Sequence, residues 1–151
     1  MSKKSIVGYF MRYITVHVLI YILVGIIFMN LMGYEEAFKP NEQFSNFRKL
    51  DSPIVRAVIP LQMIRGFLVA LILYPFRSII MKSRWGWLML FGILFGGTTV
   101  INLSASPGTI EGFIYTTTSL KDHLIGMPEV IIQSLGISCV FWLWERKRGQ
   151  Y

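Results

Sequence analysis

The stretch "AVIPLQMIRGFLVALILYPFR", residues Ala57 to Arg77, decides how this chain is read. A membrane helix needs about 20 mostly apolar residues to cross a hydrocarbon core of about 30 Å, and this run supplies them. Arg65 nevertheless sits well inside it, with Gln62 three residues earlier. A guanidinium cannot shed its charge in a protein. The segment is therefore either no span at all or a span in which the charge has a use.

The rest of the chain favours a span. Tyr13 to Tyr34 contains no Asp, Glu, Lys or Arg, and Trp85 to Ser104 ("WGWLMLFGILFGGTTVINLS") contains none either. Met127 to Trp144 ("MPEVIIQSLGISCVFWLW") is a shorter apolar run. Of 151 residues, 54% are hydrophobic and only 15% charged, against about a quarter charged in soluble domains. The reading is an all-α integral membrane protein, a single domain over residues 1–151. Four transmembrane helices are expected over about 8–33, 54–80, 85–104 and 127–146, joined by outer loops 34–53 and 105–126. Lys3 and Lys4 imitate a signal peptide, but the apolar run behind them is too long. "NLMGYEEAF" also offers no small-residue cleavage site, so the first helix is expected to be retained.

Charge then sets the orientation. Lys3, Lys4, Arg12, Arg77, Lys82, Arg84, Arg146, Lys147 and Arg148 flank one side, with Glu145 as the one acid there. The two long connections carry five basic residues and six acids. Lys and Arg beside short loops stay cytoplasmic, so both termini are expected inside, in a prokaryotic cell (inner) membrane. Trp85, Trp87, Trp142 and Trp144 fall at the same face, the depth that indole rings favour. The net charge of +7 is thus an orientation signal that also suits anionic lipid. It gives no separate support to nucleic-acid binding.

Both outer connections are longer than the usual 2–8 residues between helices. In the first, Asn41 is a candidate helix cap, with Phe44 and Phe47 sharing one face of a short helix lying on the membrane. Ser52 and Pro53 then read as cap and first residue of the second span. In the second, Pro107-Gly108 marks a turn, and "FIYTTT" is expected to run extended because it is aromatic and β-branched. A short helix is expected from Ser119, closed by Gly126. Phe113, Ile114, Tyr115, Leu120, Leu124 and Ile125 suggest that this loop is buried against the bundle or dips into the membrane.

Arg65 lies roughly 12 Å below the outer entry of its helix, counted at 1.5 Å per residue. Glu129, one turn inside the outer end of the last helix, is the expected ion-pair partner. Gln62, Gln133 and Asn102 ring the pair, and Asn30, Ser104 and Ser106 lie near the same level. Two blander readings stand beside this one. Glu129 follows Pro128 in a first helical turn, where a carboxylate meets the helix dipole favourably, and the amides can serve merely as interhelical glue. His17 is placed near the inner end of the first helix, at the wrong depth to join Arg65, and His123 is placed in solvent.

Gly92 and Gly96 form a GxxxG face, suited to close packing within the bundle, to a homodimer or to a partner membrane subunit. No zinc-protease, phosphate-loop, nucleophile-elbow or dinucleotide signature is present. Cys139 alone makes neither a disulfide nor a CxxC site. No metal, cofactor or catalytic residue is assigned. The leading expectation is an accessory or assembly subunit of a larger membrane complex. The first alternative is a transporter or binder of a small anionic ligand or lipid headgroup, with Arg65 as counter-ion. The second is a lipid-modifying enzyme using Glu111, His123 or Glu129 as acid or base.

Overall fold

The computed structural model describes residues 3–31 and 52–148, and among these every regular element is helical. In chain order they are α1 (Lys3–Leu31), α2 (Pro53–Arg56), α3 (Val58–Leu73) and a 3-10 turn (Tyr74–Phe76). There follow α4 (Arg77–Lys82), α5 (Gly86–Thr99), α6 (Ile110–Tyr115), α7 (Leu120–Ile125) and α8 (Met127–Lys147). Three stretches are long and apolar enough to cross a membrane: Ile6–Leu31, Val58–Lys82 and Leu120–Lys147. The fourth apolar helix, Gly86–Thr99, has 14 residues, about 21 Å at 1.5 Å per residue.

Its early stop has a local cause. Thr98 and Thr99 turn their hydroxyls back onto the carbonyl of Phe95, each at 2.8 Å. The Asn102 side chain donates to the Thr98 carbonyl (3.4 Å) and accepts from the Ser104 amide (3.0 Å). Such side chains compete with the helical ladder. The second span is likewise broken where proline removes a donor and crowds the preceding turn. Pro60 lies in the first turn of α3 and Pro75 in the 3-10 turn before α4. Ser52 and Pro53 stand at the expected cap positions, although the Ser52 side chain makes no capping bond. The remainder of the first outer connection, including Asn41, Phe44 and Phe47, lies outside the described residues.

The chain divides into two compact units, Met1–Leu73 and Tyr74–Tyr151. In the first, α1 packs antiparallel on α3. The Phe10 and Phe67 rings meet at 5.3 Å between centroids, and His17 lies against Gly66. Tyr9, Tyr13, Val16, His17, Val24 and Phe28 are the buried residues of α1, at the three- and four-residue spacing of one helical face.

In the second unit, α4, α5 and α8 pack together. Gly86, at the start of α5, seats against the Trp142 indole near the far end of α8, so these two helices run antiparallel. Ile80, Met81, Leu90, Ile137, Phe141 and Trp142 form the apolar core, with Ser134 and Ser138 buried among them. Ser138 satisfies its hydroxyl on the Ser134 carbonyl at 2.7 Å.

The second outer connection departs from expectation. Phe113, Ile114 and Tyr115 are helical, not extended, because Thr109 caps α6 by accepting the Gly112 amide at 2.9 Å. A filled cap outweighs β-propensity here. Backbone becomes extended only at Thr116. The Pro107-Gly108 turn is present, with Gly108 at φ +84°. Ser119 caps α7 by accepting the Asp122 amide. Phe113, Ile114, Tyr115, Leu120 and Leu124 are all more than half exposed, so the described chain does not bury them.

Candidate functional site

A short, buried polar contact joins α4 to α8. Arg77 Nε donates to Glu145 Oε1 at 2.9 Å, and Nη2 lies 2.6 Å from the same oxygen. Glu145 is wholly buried and Arg77 5% exposed. Glu145 lies in the last turn of α8, where a carboxylate meets the helix dipole unfavourably, and Arg77 supplies the opposite charge. Met81, one turn after Arg77, and Phe141, one turn before Glu145, are also buried, so the contact lies in an apolar surround.

Sequence reading took both charges for solvated flanks of the inner loops and missed the contact. One signal was legible: Glu145 is the single acid among nine cations on that side.

The second polar tie lies in the first unit. His17 Nε2 and Gln62 Oε1 are 3.1 Å apart, and the Gly66 backbone passes under the imidazole, where a Cβ would lie 3.2 Å from Cδ2. The contact requires Nε2 to carry the hydrogen. Among the described residues, His17 Nδ1 has no hydrogen-bond partner. The sequence-based placement of His17 at the inner end is therefore corrected. The helix begins at Lys3 and its apolar part at Ile6, which makes His17 a mid-helix residue. Arg65, one turn beyond Gln62, is exposed.

The residues expected to contact a ligand, Arg65, Gln62, Glu129, Gln133, Asn102, Glu111 and His123, divide between the units. Gln62 and Arg65 belong to the first. Asn102, Glu111, His123, Glu129 and Gln133 belong to the second. Gln133 Nε2 donates to Glu129 Oε1 at 3.0 Å, as i,i+4 neighbours on one helix face can. Asn102 bonds its own chain, and Glu111 is half-buried in the first turn of α6.

His123, expected in solvent, is buried. Its Nδ1 accepts the Gly108 amide at 3.1 Å, and its ring meets Phe113 edge-on at 5.9 Å. The positive φ of Gly108 aims that amide inward, which the turn signal alone did not disclose. His123 thus holds a loop together. Among the described residues, no group of three or more His, Cys, Asp or Glu side chains is placed to hold a metal.

The His17–Gln62 tie yields a prediction. Gln62→Leu leaves a buried imidazole without its partner and lowers stability by about 1–3 kcal/mol. The pair His17→Phe with Gln62→Leu recovers most of that loss, as replacing both partners by apolar groups usually does. Thermal unfolding in detergent of the two single variants and the double variant measures the coupling.

No protein-family model, curated protein or solved structure matches this chain.

Proposed function

We propose that the protein is an accessory subunit of a larger membrane complex, with four spans and both termini inside, in the cell membrane. The observation that carries this reading is the glycine face of α5. A Cβ built on Gly92, Gly96 or Gly97 meets nothing within 4 Å among the described residues. Small residues that serve packing inside a bundle have a neighbour pressed against them, as Gly66 and Gly86 do. A flat face left open is suited to a helix of another subunit or a second copy, since van der Waals contact and small residues drive association in lipid. The two polar ties, His17–Gln62 and Arg77–Glu145, fit the same reading, because each joins two helices of one unit.

In this reading Gly86–Thr99, continued through the turn after it, is the fourth crossing. Lys and Arg at the α4, α5 and α8 ends mark the cytoplasmic side. The test is purification from its native membrane in a mild detergent. A particle larger than one chain is expected, and Gly92→Leu with Gly96→Leu should reduce it to the single chain. Identical single-chain particles from both proteins would remove the basis for an accessory role.

A second reading rests on Arg65, which is exposed in the middle of an apolar helix. An exposed guanidinium within a span is suited to an anionic ligand or headgroup. Arg65→Ala separates the two. Loss of function with the particle size and folding unchanged favours the ligand site, whereas loss of the large particle favours assembly.

A further inference from the structure

We propose that the basic end of the second unit is a clamp for the headgroup of an anionic phospholipid, formed by two guanidiniums held on indole rings. The Arg84 guanidinium carbon lies 5.1 Å from the centroid of the Trp85 ring, and that of Arg146 lies 4.7 Å from the Trp142 ring. Gly86, next in sequence to Trp85, seats against the Trp142 indole, so the two stacks adjoin where α5 begins and α8 ends. This inference does not depend on the accessory role.

A guanidinium over an indole face is held there by cation–π attraction and keeps N–H donors for an anion, in the fork that fits two phosphate oxygens. Arg84 and Arg146 are both exposed, and neither has an ion pair among the described residues. The local charge is of one sign. Lys82, Lys147 and Arg148 are exposed beside them, and the one acid at this end, Glu145, is buried on Arg77. The other acids described in this unit, Glu111, Asp122 and Glu129, lie at or before the opposite end of α8, about 26 Å away along the helix for Glu129. Among the described residues of this unit, no exposed carboxylate lies at this end to compete for the two guanidiniums.

A lipid is favoured over a soluble phosphate by position. The collar closes the long apolar stretch Leu120–Lys147, and indoles rest at headgroup depth.

The test uses the full chain in a nonionic detergent, with unfolding temperature and native mass spectrometry as readouts. Phosphatidylglycerol is expected to bind and raise the unfolding temperature, while phosphatidylcholine and inorganic phosphate at equal concentration do not. Arg84→Gln with Arg146→Gln is expected to weaken phosphatidylglycerol by about tenfold or more per guanidinium, the scale of one charge-assisted hydrogen bond. Arg84→Lys with Arg146→Lys keeps the charge but loses the fork, and is expected to weaken it too. Lys147→Gln with Arg148→Gln removes the same charge away from the indoles and is expected to have a much smaller effect. The proposal is overturned if the Lys147/Arg148 variant loses as much as the Arg84/Arg146 variant, if the paired lysines bind like the parent, or if inorganic phosphate matches the lipid.

Discussion

Glu145→Ala is expected to destabilise the folded chain by about 3–5 kcal/mol, the usual result of leaving one member of a buried ion pair without the other. Removing the carboxylate takes the counter-charge from Arg77, which is buried beside Met81 and Phe141. The pair Arg77→Met with Glu145→Leu is expected to regain most of the loss, because a buried pair contributes little beyond a well-packed apolar substitute once its desolvation is counted. Trp142, one turn before Glu145, gives a local fluorescence signal for the unfolding measurement. Equal stability of Glu145→Ala and the parent would show that the contact is open to water.

Gly86→Ala is the second large effect. A Cβ there collides with the Ile80 carbonyl oxygen and with the Trp142 indole. The indole can shift, but the carbonyl is backbone and cannot move alone. Overpacking of this kind costs about 1–3 kcal/mol, occasionally more, and the backbone clash places Gly86 at or above the upper end. Gly96→Ala is the matched control. Its Cβ enters open space, and alanine is better than glycine in a helix by about 0.5–1 kcal/mol. The isolated chain should therefore be unchanged or slightly more stable. If both variants unfold alike, the close seat of α5 on α8 is not what fixes this end of the unit.

Composition and local chemistry make much of this architecture legible in the sequence. The apolar runs placed the helices, and α8 starts at Met127 as expected because Pro128 and Glu129 suit a first turn. The Gly108 turn and the Ser119 cap were equally local.

What was missed was long-range or competitive. Arg77 and Glu145 are 68 residues apart, and counting charges by side treats each as a solvated flank whatever it touches. The helical Phe113–Tyr115 segment turned on whether Thr109 would fill its cap, which residue preferences alone do not weigh. A first helix expected from about residue 8 puts His17 near its inner end, whereas α1 begins at Lys3 and ends at Leu31, which puts His17 at its middle. The expected Arg65–Glu129 pair draws its members from different units, and no periodicity within one helix tests it.

The near-continuity of α7 and α8 has a consequence of its own. From Leu120 to Lys147 the chain makes 28 residues of helix with only Gly126 interposed, about 42 Å at 1.5 Å per residue. That exceeds a 30 Å hydrocarbon layer by about 12 Å, and an average tilt of about 20° absorbs only about 3 Å of the surplus. With Trp142 set at one edge of such a layer, the helix back to Leu120 measures about 33 Å and just fills it, so the surplus falls at the basic end, Leu143 to Lys147, and the Thr109–His123 loop comes at the other edge.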